Sequence, residues 1–278
     1  MTTKFFLICT FLCGICLAAE AQSPFGHIDS LYQSGSYLAA RVACERVLFT
    51  SDVPENQFRA AVGKTRCLKQ QGLYDQALLF LNRHLQTPYA DSLLYQLRHE
   101  QVMCAYLAGQ FENVLSLVDR LPYLHPDRPV TPLLAAVRVL SFNELRRWPE
   151  ARQAYGELVM RVQADTSVLA LYRQVPVLKQ EKKAQWLSTF IPGAGQLYAG
   201  KPIEAAVSLL VQAAGLYIGV TSFLNQYYLT AWGVGAGLFG SFHSGGVRRA
   251  EVLVQQYNGR KTAAFNAKAR QQILQLIR

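Results

Sequence analysis

Residues 71–85 read QGLYDQALLFLNRHL and residues 108–121 read AGQFENVLSLVDRL. Superposing the two lines sets Gly72 against Gly109, 37 residues apart, and the same step reaches Gly35 upstream and Arg146 downstream. Two positions on stand Tyr37, Tyr74, Phe111 and Trp148; three further on, Ala40, Ala77, Val114 and Ala151. Four beyond those come Cys44, Leu81, Val118 and Tyr155, and four before the glycine slot come Leu31, Leu68, Ala105 and Phe142. Five columns in register across four repeats mark an internal periodicity, which has to be recognised before any fold is named. Each column has a mechanical reading. A helix ends at the glycine, which accepts a left-handed backbone. The aromatic wedges into the angle between that helix and the next. The small residue lets the second helix approach closely, and the residue four later shares its face. Each repeat is thus an antiparallel helix pair, and because one pair cannot bury its apolar stripe alone, the pairs stack.

This Gly-x-aromatic-x-x-Ala core resembles that of the tetratricopeptide repeat, over roughly residues 26–163. That family's usual period is about 34 residues, so longer turns are expected here, and Pro88, Pro122 and Pro149 fit turn or helix-start positions. The fourth repeat departs from the pattern, with Arg146 in the glycine slot and Trp148-Pro149 in place of the usual turn chemistry. The resemblance implies an all-α, tetratricopeptide-like solenoid that binds a protein or peptide partner and is not an enzyme. A spacer or packing role for four repeats is equally compatible.

Downstream the composition changes. Ile203 to Leu224 is an apolar run with one charge, Glu204, at its edge, matching the length a helix needs to cross a bilayer. Tyr227 to Phe242 is a second, Gly-rich run, and Asn225-Gln226 between them leaves room only for a tight turn. Together they predict a transmembrane helical hairpin over residues 203–246. Gly215 and Gly219 on one arm, and Gly233, Gly237, Ser241 and Gly245 on the other, recur in steps of four. Such stripes let backbones approach where lipid offers little hydrophobic drive between helices. Tyr227, Tyr228 and Trp232 near the turn fit interfacial positions. Two buried helices of a water-soluble domain form the competing reading.

Before the hairpin stands STFIPGAGQLYAGKP, residues 188–202. Pro192, Gly193, Gly195 and Gly200 exclude an unbroken helix. Gln196 and Tyr198 bring polar groups into an apolar neighbourhood. Irregular backbone at a membrane has to be shielded by protein or wetted by water, so a loop capping the hairpin at the interface is expected. The Pro-Gly-x-Gly-Gln-x-Tyr-x-Gly string resembles the signature of small two-helix membrane domains that close exported repeat proteins of Bacteroidota-like bacteria. The likeness spans about residues 185–260 and includes GGVRRAEVLVQQYN at 245–258. It implies a membrane domain with no established reaction, its loop either a structural turn or a ligand-binding element. From Val247 a basic tail carries Arg248, Arg249, Arg260, Lys261, Lys268 and Arg270. It reads as one or two amphipathic helices that lie on anionic lipid or pack on the repeats.

Charge follows the same division. The 278 residues carry a formal +10, with 51% hydrophobic and only 17% charged residues. Residues 22–165 hold 15 basic and 14 acidic side chains, whereas residues 166–278 hold 12 and 3. A basic segment interleaved with apolar runs points to anionic lipid. No base-stacking or groove-reading element accompanies it, so no nucleic-acid partner is expected. At the N-terminus, Lys4, the apolar run Phe5 to Ala19 and Ala19-Glu20-Ala21 read as a secretory signal over residues 1–21, cleaved before Gln22. Cys44, Cys67 and Cys104 remain in the mature chain, an odd number. Each fits core packing; a Cys67–Cys104 bridge between equivalent repeat positions is the alternative.

The expected order is therefore signal 1–21, repeats 22–165, linker and PGAGQLYAG loop 166–202, hairpin 203–246 and tail 247–278. No phosphate-binding glycine loop, zinc-protease helix or Cys-x-x-Cys pair occurs in the mature chain. Neither a catalytic triad nor a cofactor or metal site is expected. The sequence points to a membrane-anchored scaffold in the cell envelope, its repeats periplasmic and the inner membrane favoured, since outer-membrane spans are usually barrels. The alternative is a membrane component that handles a lipid or small molecule through the PGAGQLYAG loop. One conflict stands: the positive-inside rule prefers the basic flanks on the cytoplasmic side, whereas an exported repeat domain and two spans put the tail outside. Oligomeric state is left open.

Overall fold

The computed structural model describes residues 24–277. The expected secretory signal over residues 1–21, with Cys9, Cys13 and Cys16, lies outside the described residues. Every regular element among the described residues is helical. The chain divides into two compact units, one ending at Thr166 and one running from Ser167 to Gln275.

Eight helices build the first unit: α1 (Pro24–Gln33), α2 (Tyr37–Thr50), α3 (Pro54–Gln70), α4 (Tyr74–His84), α5 (Asp91–Leu107), α6 (Phe111–Leu124), α7 (Pro132–Glu144) and α8 (Trp148–Arg161). Each packs on its sequence neighbours, and α1, α3, α5 and α7 also pack on one another in order. The turns inside the four pairs are alike. Gly35, Gly72, Gly109 and Arg146 all have positive φ, between 58° and 77°. The residue after each of them donates its N–H to the carbonyl five residues back, as Leu73 does to Leu68 and Arg147 to Phe142, both at 2.9 Å. That is the Schellman closure, which satisfies carbonyls a helix end leaves orphaned. Arg146 adopts the turn although it carries a Cβ, a conformation disfavoured for residues other than glycine.

The columns of the 37-residue register become layers of the core. Ala40, Ala77, Val114 and Ala151 have no exposed surface, and Cys44, Leu81, Val118 and Tyr155 are buried below them. Tyr37 and Phe111 meet Tyr32 and Tyr106 edge to face, with centroids 5.4 and 5.7 Å apart. Cys44, Cys67 and Cys104 are free and buried, and burial pushes the Cys44 and Cys104 thiols up to about 12. They are small core residues, not a Cys67–Cys104 bridge. Pro149 sits at a helix start, whereas Pro122 lies in the last turn of α6.

The second unit opens with a 3₁₀ helix, Thr166–Gln174, followed by α9 (Glu181–Phe190), α10 (Ala194–Ala199), α11 (Pro202–Leu224), α12 (Tyr228–Thr230) and α13 (Gly237–Leu276). The PGAGQLYAG stretch is not an open loop. It forms the short helix α10, bracketed by Gly193 and Gly200, both left-handed at φ 86° and 87°. Nor does the tail begin a new element at Val247. α13 runs 40 residues without a break, about 60 Å at 1.5 Å per residue, so the second hairpin arm and the basic tail share one rod. Among the described residues one helix, Pro202–Leu224, is long and apolar enough to cross a membrane.

Candidate functional site

The two arms of the hairpin meet through small residues on one face of each. A Cβ on Gly235 would stand 2.3 Å from Gly219 Cα, and one on Gly215 would stand 3.0 Å from the Phe239 nitrogen. Gly215 and Gly219 therefore face the second arm, as their spacing predicts. The expected stripe on that arm does not face back. A Cβ on Gly233 meets nothing within 4 Å, and Gly237 approaches only the Trp232 carbonyl of its own helix. Ala231, Gly235 and Phe239 hold the contact instead. These contacts also recur in steps of four, but two residues out of phase with the expected stripe and so on the opposite side of the helix; a π-helical turn spans Ala231–Ala236 within this stretch. Ser241 lines a groove farther along, with Phe242 and Gly245.

At the base of the hairpin the signature residues form a polar hub. α9 ends at Phe190, Pro192 occupies the break, and Gly193 turns the chain so that α10 starts against α11. A Cβ on Gly193 would lie 2.5 Å from the Ala205 carbonyl of α11. One on Gly195 would lie 2.2 Å from Ser188 Oγ on α9 and 2.6 Å from Ala250 Cβ on α13. Three helices thus close on the glycines of α10. Gln196 is 2% exposed. Its Oε1 accepts from Ser188 Oγ at 3.2 Å, and its Nε2 donates to the Gly246 carbonyl at 3.1 Å. Ser188 Oγ also accepts from the Gly195 N–H at 3.0 Å. One side chain therefore ties α9, α10 and α13 together, and all its polar atoms are partnered.

Above Gln196 a second polar pair continues inside the hairpin. Gln212 Nε2 donates to Ser208 Oγ at 3.0 Å, and His243 Nδ1 lies 3.3 Å from Gln212 Oε1. Polar groups in such a setting stay buried only when hydrogen-bonded. A groove of about 460 Å³ opens beside the hub, between Ile203, Val207 and Phe242, with Gln196 and Ser208 at its floor. Arg249 and Glu204 close its rim through two hydrogen bonds, 2.9 and 3.2 Å. Tyr198 stands on the opposite flank of α10. Its hydroxyl accepts from the Gln180 N–H at 3.2 Å, and its carbonyl accepts from Lys179 Nζ at 2.7 Å. Sequence reasoning found Pro192, Gly193, Gly195, Gln196, Tyr198 and Gly200, and missed Ser188, Gly246, Ser208 and Gln212. A lone amide inside an apolar span was the available signal for Gln212.

The first unit offers a different surface. A groove of about 570 Å³ runs across α1, α3 and α5, floored by Phe25, Phe58 and Tyr95 and rimmed by Asp29, Arg59 and Arg66. Arg59 pairs with Asp29 at 3.3 Å and covers the Phe25 ring. The repeat-signature residues do not line it; they sit in the turns and core that set the spacing of the helices lining it.

No protein-family profile matches the chain, and neither a curated protein nor a solved structure matches it.

Proposed function

We propose that this chain is a membrane-anchored scaffold: the tetratricopeptide-like stack holds a protein or peptide partner outside the cytoplasm, and the second unit fixes it to the inner membrane as a helical hairpin. One observation carries the anchoring. Ile203, Leu210, Tyr217, Leu224, Leu229 and Trp232 on the two arms are between 68% and 92% exposed. An apolar surface that continuous is untenable on a water-soluble monomer and marks a membrane or an interface. The length of Pro202–Leu224, whose one charge is Glu204 in its first turn, favours the membrane. The binding role draws support from the groove on the first-helix face and from the repeat resemblance. The test is fractionation followed by affinity purification. Full-length protein stays with vesicles in alkaline carbonate and leaves them in detergent. Deletion of residues 203–246 releases the repeats to the soluble fraction with their partner still bound. Release of the full-length chain by carbonate removes the anchor from this reading. An alkaline phosphatase fused after Arg278 reports activity if the tail is periplasmic.

The groove beside Gln196 supports a second reading, in which the hairpin handles a lipid or small molecule. In that case Gln196→Ala abolishes the cellular phenotype while partner capture survives.

A further inference from the structure

Three lysines gather around two tyrosines at the base of the second unit. Lys179 Nζ lies 4.1 Å from the Tyr257 ring centroid and 5.5 Å from that of Tyr198. Lys183 Nζ is 5.5 Å from the Tyr198 ring, and Lys261 Nζ is 5.8 Å from the Tyr257 ring. These side chains come from three places in the chain: the segment before α9, α9 itself and α13. The arrangement is built by the backbone. Asn258 grips residue 179 from both sides, accepting from its N–H and donating to its carbonyl, each at 2.8 Å. Tyr198 is fixed by the two hydrogen bonds to Lys179 and Gln180. No carboxylate pairs with any of the three ammonium groups among the described residues. Glu181, next to them in sequence, accepts instead from Gln255 Nε2 at 3.0 Å. Converging positive charge held on rigid elements with no internal counter-ion is a preorganised anion site.

We propose that Lys179, Lys183 and Lys261, seated on Tyr198 and Tyr257, bind the phosphate of an anionic phospholipid headgroup. This rests on the membrane reading of α11 and α13. On that reading the Glu204–Arg249 pair marks the edge of the hydrocarbon, and Tyr257 lies eight residues beyond it, about 12 Å along the helix. Side chains on a helix lean toward its N-terminus. The N-terminal end of α13 is the membrane end, so Tyr257 and Lys261 lean back toward the headgroups. Lysines reach further by laying their stems on apolar surface and presenting the charge to the interface. Tyrosine rings are suited to the same layer, an apolar body with a polar tip. The position next to a spanning helix selects a lipid phosphate over a free one.

The experiment uses full-length protein in neutral detergent, titrated separately with phosphatidylglycerol, phosphatidylcholine and inorganic phosphate and read by native mass spectrometry. The wild type retains phosphatidylglycerol and not phosphatidylcholine. Lys183→Gln with Lys261→Gln lowers phosphatidylglycerol retention roughly thirtyfold, the combined effect of two lysines at an anionic surface. Lys182→Gln, an exposed lysine of α9 outside the ring contacts, leaves retention unchanged. Equal retention by the double variant at an unchanged melting temperature overturns the proposal. So does displacement of phosphatidylglycerol by inorganic phosphate, which would assign the site to a free anion. The double variant still resists alkaline carbonate, because the hairpin is intact. Release of the wild type by carbonate would instead bring down the membrane reading itself.

Discussion

A missing side chain sets the geometry of the hairpin at one point. Gly235 faces the Gly219 backbone so closely that a single methyl group would overlap it. Two residues away, Gly233 faces open space. The pair makes an internal control. Gly235→Ala forces the arms apart and destabilises the second unit by about 1–3 kcal/mol, the usual penalty of overpacking. Gly233→Ala is neutral or slightly stabilising, since it removes only chain freedom. Thermal melts of the full-length protein in detergent separate the two; equal behaviour would contradict the close approach at Gly219. Arg146 teaches the opposite lesson. It adopts the same left-handed turn as Gly35, Gly72 and Gly109, so the packing of the fourth pair imposes a conformation that the residue itself disfavours.

Among the elements, α13 carries the second unit. It contacts α11 through Phe239 and Arg249, α10 through Gly246, and the α9 region through Glu251, Gln255 and Asn258. These partners occupy one register along a single rod, so the rod behaves as a ruler. One alanine inserted after Arg249 rotates everything beyond it by about 100°, the turn per residue of an α-helix. The Arg249–Glu204 pair survives that insertion, while the bonds to Lys179, Glu181 and Gln185 are lost. The melting temperature then falls, and cysteine pairs placed at positions 179 and 258 no longer crosslink. Retained crosslinking would show that the two halves of α13 move independently. The Ala231–Gly235–Phe239 set that makes the contact with α11 is itself a series in steps of four, two residues out of phase with Gly233–Gly237. Ala231 and Gly235 are also a small-x-x-x-small pair, no less visible in the sequence than Gly233 and Gly237. Only the packing of this arm against α11 chooses between them.

The whole molecule joins a nearly neutral stack to a basic, apolar unit. On the proposed solenoid reading, stability comes from contacts between neighbouring pairs and grows with the number of pairs. Expressed as residues 22–165, it stays soluble in alkaline carbonate, shows a helical circular dichroism spectrum and melts cooperatively. Residues 22–88, two pairs only, lose the cooperative melt. A soluble but non-cooperative 22–165 piece would mean that the repeats need the second unit to fold.

The sequence by itself determined the helical class, the 37-residue register and the glycine turns at Gly35, Gly72 and Gly109, whereas the turn at Arg146 became visible only in the structure. Those features depend on residue spacing along the chain, and spacing survives in one dimension. It also marked Gln196 and the signature glycines as exceptional, since polar and flexible residues stand out in an apolar run. The partners of Gln196 at Ser188 and Gly246, the helical state of α10 and the fusion of second arm and tail into one rod were decided only by the tertiary structure. The Gly246 carbonyl is a backbone group fifty residues from Gln196, and any residue would supply one. Which carbonyl a buried amide reaches depends on how three helices pack, and that information has no signature in the local sequence.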